Sequence, residues 1–520
     1  MTAPHSSSQP RQVLLAACFG TFLEWYDFLT FATLATYFGP LFFPPEHPTT
    51  GLLASLATFG AGMVVRPLGA ALFGSLGDRL GRRKIFILTI VLMGLATVGV
   101  GLLPTYGQVG LAAPLGLLAL RLLQGLSVGG EIGGSAVYVT EHAAPEARGR
   151  LTSVLQLMGP LGMMVSTLQV VLLQHSLTTT DFQQWGWRVP FLLSALLLAL
   201  SLKSRIALHE SPVFRQLARE QRLSATPLRD CLGDGETRKR MALLFLCISS
   251  GGSLLFFSAQ VYSTVFLKTV VGLESSHASA LVLAATLALF PLTVACGALS
   301  DRIGRRPVLL AGLLVGAVGL LPVFAGLLQI GNPDLARFNA QALVRLQGPD
   351  CGPTLWPGEH NSCRPFRESL AQLGVAYDTA PAPHPVLTIG RQQLTSPDPA
   401  AIKAALQTAG WPGPRAAPGS DALLFLLLLI PILAVALITG PQTAVLAELF
   451  PARFRYSAVA LPHNLAAGWI GGLSPFLVTL INVESGQPLA GLIYPSLFLA
   501  LALGVGLKYL PETRGVDLGR

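Results

Sequence analysis

The sequence predicts an all-α membrane protein of twelve transmembrane helices in two six-helix bundles, with a small extracytoplasmic insertion between helices 9 and 10. Three observations carry this. Hydrophobic residues are 52% of the 520 and charged residues only 12%, with mean hydropathy +0.58; soluble domains carry about 25% charged residues, so most of this chain has no water-facing surface to cover. The chain supplies twelve apolar runs of roughly 20 residues or more, the length that crosses a hydrocarbon core of about 30 Å. GSLGDRLGRR at Gly74–Arg83 returns as GALSDRIGRR at Gly297–Arg306, 223 residues on, and each copy joins two apolar runs, so the chain reads as two similar halves.

Taken in order, the chain begins with a short polar stretch, MTAPHSSSQPRQ, and the apolar run after it carries Glu24 and Asp27, which argues against a cleaved signal peptide. The predicted spans are 13–39, 51–77, 84–103, 111–139, 151–175 and 186–206 in the first half, then 241–270, 278–299, 307–330, 421–446, 456–482 and 488–510 in the second. The expected organisation is therefore a first bundle over 1–206, a linker over 207–240, a second bundle over 241–330 and 421–510, the insertion over 331–420, and a tail over 511–520.

Orientation follows from the short loops. Arg82, Arg83 and Lys84, Arg148 and Arg150, Arg302, Arg305 and Arg306, and Arg453 and Arg455 follow spans 2, 4, 8 and 10. The opposite short loops 40–50, 104–110 and 176–185 hold no Lys or Arg, so the basic loops, both termini and the Arg-rich linker are expected in the cytoplasm. The linker is expected to include amphipathic helix. The net charge of +9 is spent on these loops, so no nucleic-acid partner is implied; membrane lipid is, and a monomer is expected.

The Pro- and Gly-rich segment 331–420 joins two outward ends, and long loops translocate whatever their charge. Arg364–Tyr377 and Asp398–Gly410 read as short helices, the second opening on Asp-Pro. Cys351 and Cys363 are expected to form a disulfide in an oxidising compartment. The alternatives are a metal site with Glu359 and His360 between the thiols, or free thiols. No CxxC spacing occurs, and no metal or cofactor is expected. Glu141 and Arg148 after span 4 share their spacing of seven with Glu448 and Arg455 after span 10, at an offset of 307. That exceeds 223 by about the length of the insertion, so both repeats report one duplication of six spans.

These segments resemble the major facilitator superfamily: the two GxLxDRxGRR loops, RLLQGLSVGGE at Arg121–Glu131, and the Glu141–Arg150 loop. GTFLEWYDF at Gly20–Phe28, ESPVF at Glu210–Phe214, AELFPARFRYSAVALPHNL at Ala447–Leu465 and LPETRG near the end are similar to its metabolite:proton symporter branch, which includes permeases for shikimate, 2-oxoglutarate, citrate and proline or betaine. The resemblance covers all twelve spans, leaves the insertion unexplained and does not choose among those substrates. It implies alternating access driven by a proton gradient in a plasma (inner) membrane. GxxxxGK[ST] is absent and no arrangement of nucleophile, base and metal stands out, so neither an ATP-driven pump nor an enzyme is expected.

Ionisable groups inside a membrane persist where they face a cavity or one another. Glu24 and Asp27 share a face of span 1; Arg66 lies in span 2, Arg121 and Glu131 in span 4. Mutual neutralisation would explain any one of them. The functional reading gives the proton to Asp27, then Glu131, with Glu24 as a third candidate that could instead pair internally or orient Trp25 and Tyr26, and gives a small organic anion to Arg66 and Arg121, which stay charged and grip a carboxylate bidentately. The second half offers His463, Asn464, Gln260 and Tyr262 as further substrate ligands, with Gly251–Gly252 letting span 7 bend. Lys268 snorkels at the outer end, and the Gly-rich stretches 129–134 and 468–472 mark close helix contacts. Asp78, Arg79, Arg82 and Arg83, with Glu141 and Arg148, and their counterparts Asp301, Arg302, Arg305 and Arg306, with Glu448 and Arg455, are read as a cytoplasmic gate, with Asp78 near the positive N-terminal end of span 11. A proton:drug exporter, a zwitterion carrier and a membrane sensor using the insertion remain as alternatives.

Overall fold

The computed structural model describes residues 8–43, 48–341, 343–349, 351–352, 361–413, 417 and 419–519. Its twelve long helical segments are α1 (Ser8–Phe42), α2 (Pro48–Leu80), α3 (Arg82–Leu102), α4 (Ala112–His142), α5 (Pro145–Ser176), α6 (Gly186–Ile206), α7 (Gly235–Val271), α8 (Ser275–Ile303), α9 (Arg305–Gly331), α10 (Asp421–Glu448), α11 (Ala452–Ser485) and α12 (Ala490–Tyr509). Among the described residues, eleven segments are long and apolar enough to cross a membrane, and α2, at 33 residues, is the twelfth long helix. Helix is the form these apolar runs can take in lipid, because it satisfies every backbone group within the segment.

The charged repeats end one helix and begin the next. α2 runs on to Leu80 and α8 to Ile303, past the expected limits 77 and 299, because the Asp and Arg of each repeat are themselves helical. Gly81 and Gly304 then turn the chain at φ 110° and 105°, which a residue with a Cβ rarely adopts. In the first half α2 and α4 touch backbone to backbone: a Cβ on Gly125 would lie 2.0 Å from the Gly62 carbonyl oxygen, and one on Gly129 2.2 Å from that of Arg66.

Two helices are irregular. α7 contains wide, π-type turns at Leu244–Ser249, Phe257–Tyr262 and Leu267–Val271, and α11 one at Ala466–Gly471. Gly251 and Gly252, the expected bend, stay α-helical within Ser250–Phe256, and the irregular turns lie on either side. In the linker, Pro212–Arg219 buries Phe214 and Leu217, and Pro227–Gly233 follows. Ser224 and Thr226 donate to the Asp230 carboxylate and hold it below the ordinary aspartate range.

The insertion is a small α+β unit. Strands β1 (Val344–Gln347), β2 (Asp378–Ala380), β3 (Val386–Ile389) and β4 (Gln392–Leu394) form one sheet in the order β2-β1-β3-β4. β2 runs parallel to β1, with Arg345 opposite Asp378, and the other neighbours are antiparallel. Helices Pro333–Ala340, Arg364–Gln372 and Pro399–Thr408 accompany the sheet, and Val344, Leu346, Phe366, Leu370, Leu387, Ile389, Ile402 and Leu406 are buried. Asp398 caps the third helix, accepting from the amides of Ala400 (3.1 Å) and Ala401 (3.3 Å). The expected helix from Arg364 stops at Gln372 rather than Tyr377, because Gly374 (φ 68°) turns the chain toward β2. Cys351 and Cys363 are disulfide-bonded, which removes both thiolates from the metal alternative; Glu359 and His360 lie outside the described residues.

The unit is fastened to the second half. Arg367 is ion-paired with Glu484 of α11, and Tyr377 donates its hydroxyl to the Val483 carbonyl and its amide to that of Gly486 (2.9 Å). Asn332 donates to the Val271 carbonyl at the end of α7 (3.0 Å). Burial pushes the Tyr377 phenol above the ordinary tyrosine range.

Candidate functional site

The repeated loops build a two-fold network between the halves. Asp78 at the end of α2 accepts from the amides of Tyr456 (3.2 Å) and Ser457 (2.9 Å) at the start of α11. Asp301 at the end of α8 accepts from the amides of Gly149 and Arg150 at the start of α5, both at 2.8 Å. Tyr456 and Ser457 lie 307 residues after Gly149 and Arg150, the offset of the duplication. Each aspartate therefore caps a helix N-terminus of the opposite half, where free amides and the helix dipole favour an anion.

Around each cap lies a buried Arg–Glu–Arg cluster. Glu141 is 3.3 Å from Arg82 and 2.9 Å from Arg455; Glu448 is 3.3 Å from Arg305 and 3.9 Å from Arg148. The halves mirror each other again outside the clusters. Glu210 accepts from the Arg83 amide (3.2 Å), and Glu512 from those of Arg305 (2.8 Å) and Arg306 (3.1 Å). Arg79 and Arg302 are exposed and lie at the rim. One contact has no mirror image: Tyr456 reaches into the first half and donates to the Gly130 carbonyl (2.6 Å), in a hollow where a Cβ on Gly77 would lie 2.2 Å and one on Gly134 2.3 Å from the side chain.

Deeper in the first half, four ionisable groups share a small cavity. Asp27 Oδ2 accepts from Gln124 Nε2 (2.8 Å) and lies 3.8 Å from Arg121 Nη1; the same Nε2 donates to Thr97 Oγ1 (2.9 Å). Arg121 stacks on the Phe31 ring at 3.4 Å, and Arg66 lies 4.0 Å from Glu24 and 5.1 Å from the Phe28 ring. All four are buried. Among the described residues, Asp27 Oδ1, both Glu24 oxygens, and Arg121 Nε and Nη2 find no hydrogen-bond partner.

Arg66 and Phe28 also line a larger cavity between the halves, about 90 Å³ against about 20 Å³ for the polar one. Trp25 and Thr21 contribute from α1, Phe256 and Phe257 from α7, Gln442 from α10 and His463 from α11. His463 Nδ1 is 2.9 Å from Ser249 Oγ.

The remaining candidates lie elsewhere. Glu131 is ion-paired with Arg205 of α6 and accepts from Thr89 (3.0 Å), and it is not among the described residues lining either cavity. Asn464 ties α11 to the Gly129 carbonyl (2.9 Å). Tyr262 accepts from Asn482 (2.8 Å) beneath the insertion, and Gln260 is buried off the cavity.

The sequence profile of the family described as "Sugar (and other) transporter" matches residues 13–242 and 217–336, more than half of the chain. The chain belongs to this family. It is a transporter of the major facilitator superfamily. Among relatives of this transporter, the inner membrane metabolite transport protein YhjE of Escherichia coli (strain K12) is 37% identical over 329 residues, covering 62% of this chain and 74% of YhjE. The alpha-ketoglutarate permease of the same strain is 33% identical over 333 residues, covering 64% and 76%. In fold, the transporter is similar to the proton:xylose symporter XylE, with a TM-score of 0.68 at 18% identity over 99% of this chain and 98% of XylE.

Sequence reasoning missed Gln124, Thr97, Arg205 and Phe256. Gln124 stands three residues from Arg121, hence on the same helix face, which was the available signal. Arg205, beside Lys203 at the end of an apolar run, looks like an ordinary membrane-interface base.

Proposed function

We propose that the protein takes up a small organic acid together with protons across a bacterial inner membrane, by alternating access of its two halves. The supporting observation is that Arg66 faces the cavity between the halves while sharing the adjoining polar cluster with Asp27, Glu24 and Arg121. An anion on Arg66 and a proton on Asp27 then act on one constellation, as coupling requires. The relationship to an alpha-ketoglutarate permease and the likeness to a proton symporter agree with this reading.

The charged face, with its basic loops and the linker, is read as the cytoplasmic side and as the gate that is closed here. Opening it means releasing two helix caps and two Arg–Glu–Arg clusters, which a bound, charge-compensated substrate must favour in one conformation over the other. Arg66 orients the carboxylate; Gln124 and Arg121 hold Asp27 by one oxygen and leave the other for the proton.

Uptake of labelled acids into proteoliposomes under an imposed inward proton gradient tests this. Accumulation that follows the gradient is expected; uptake indifferent to it contradicts symport. A second reading, a zwitterion carrier, is favoured by the Trp25, Phe28, Phe256 and Phe257 rings near Arg66, since aromatic faces attract quaternary ammonium groups.

A further inference from the structure

The cluster of Glu24, Asp27, Arg66 and Arg121 holds two acids and two bases, all buried, and the neighbouring Glu131–Arg205 pair is balanced by itself. An uncompensated charge in such a place is strongly disfavoured. A monocarboxylate entering on Arg66 adds one negative charge, and one proton on Asp27 or Glu24 restores the balance. A zwitterion adds none, so the same proton would leave the site positive. Among the described residues lining the cavity between the halves, Arg66 is the one fixed cation. A second or third carboxylate would therefore meet no second fixed cation in that lining, only neutral groups such as Gln156, Gln442 and the Trp25, Phe256 and Phe257 rings.

The apolar part of the cavity joins both halves. Trp25 of α1 and Phe256 of α7 stand with ring centroids 5.5 Å apart, and Phe28, stacked edge-on with Trp25 at 6.2 Å, bears on Arg66. Hydroxyls of Thr21 and Thr293 in the same lining are buried and find no hydrogen-bond partner among the described residues. The lining thus offers one cationic end, an aromatic pair contributed by both moving bodies, and a few free hydroxyls.

We propose that the central site takes one monocarboxylate together with one proton, so that the complex crossing the membrane carries no net charge, and that the body of the acid rests against Trp25 and Phe256. This rests on the symport reading above and narrows it to a substrate class and a stoichiometry.

The test has two arms on the purified full-length protein. In thermal unfolding, benzoate and quinate, which carry one carboxylate, are expected to raise Tm, and phthalate, succinate, citrate and glycine betaine are not. A larger shift with a di- or tricarboxylate or with betaine, or no shift with either monocarboxylate, overturns the substrate class. In proteoliposomes, with protein-free vesicles as the blank, uptake of the monocarboxylate giving the larger shift is expected to follow an imposed pH gradient. A potassium diffusion potential should change it by less than about twofold, whereas one net charge per cycle would change accumulation about 50-fold per 100 mV. Uptake that follows both the pH gradient and the potential overturns the electroneutral cycle while leaving symport standing. Uptake that ignores the pH gradient defeats the symport reading itself.

Discussion

Asp78 holds Ser457 twice, accepting from its amide and from its hydroxyl, both at 2.9 Å. The two residues belong to different halves, and the bonds cap the helix that begins there. Asp78→Asn weakens both bonds by removing the charge, and charged hydrogen bonds contribute about 1.5–3 kcal/mol. Transport is expected to fall at least about tenfold, with membrane insertion and yield unchanged. Asp301→Asn should act in the same direction through Gly149 and Arg150. Normal transport by both variants would reduce the repeats to topology signals.

On the gate reading, Tyr456 adds an asymmetric contact to the closed state through its bond to Gly130. A methyl group on Gly77 would overlap its ring, so Gly77→Ala is expected to push the equilibrium toward opening on the charged face. The four free cysteines are buried, so a single Ser135→Cys in the cavity lining can report. Its labelling from that face should rise several-fold in Gly77→Ala, and less in Tyr456→Phe, which loses only the bond to Gly130.

Arg66→Lys keeps the charge but loses the planar fork. The thermal shift produced by a bound acid should disappear while the unliganded protein unfolds within a few degrees of wild type. Retention of the full shift would move the anion site away from Arg66.

The insertion makes a different prediction. Arg367→Ala removes the cation from a buried ion pair with Glu484, and breaking such a pair costs about 3–5 kcal/mol. A clear drop in Tm is expected, with much of it recovered in the double variant Arg367→Met, Glu484→Gln. Equal Tm in all three proteins would show that the ion pair does not fasten the insertion to α11.

The twelve helices were legible because each is a long apolar run, and the relation of the halves because an eight-to-ten-residue charged pattern recurs at offsets that differ by one insertion. The positions of Asp78, Glu141 and Arg455 at one face follow from that pattern; that Asp78 meets the amides of Tyr456 and Ser457 was anticipated only as nearness to the start of α11. The sheet of the insertion was not legible, since strands of three or four residues give too few alternations to register. Within the spans, sequence could place Asp27, Arg66, Arg121 and Glu131 at a depth but not on a partner. Glu131 goes to Arg205, a contact between α4 and α6 over a separation of 74 residues, and Asp27 to Gln124, a neutral residue that looks like any polar interruption.

The most direct test of the account is Asp27→Asn in proteoliposomes, comparing two modes of transport of the same acid. The variant cannot take up the coupling proton at that position, and its cluster carries one net positive charge before the anion arrives. Exchange of internal for external acid is expected to continue, while accumulation against a gradient under an imposed pH difference is expected to vanish. Accumulation by Asp27→Asn equal to that of the wild type would contradict the assignment of the proton to this cluster.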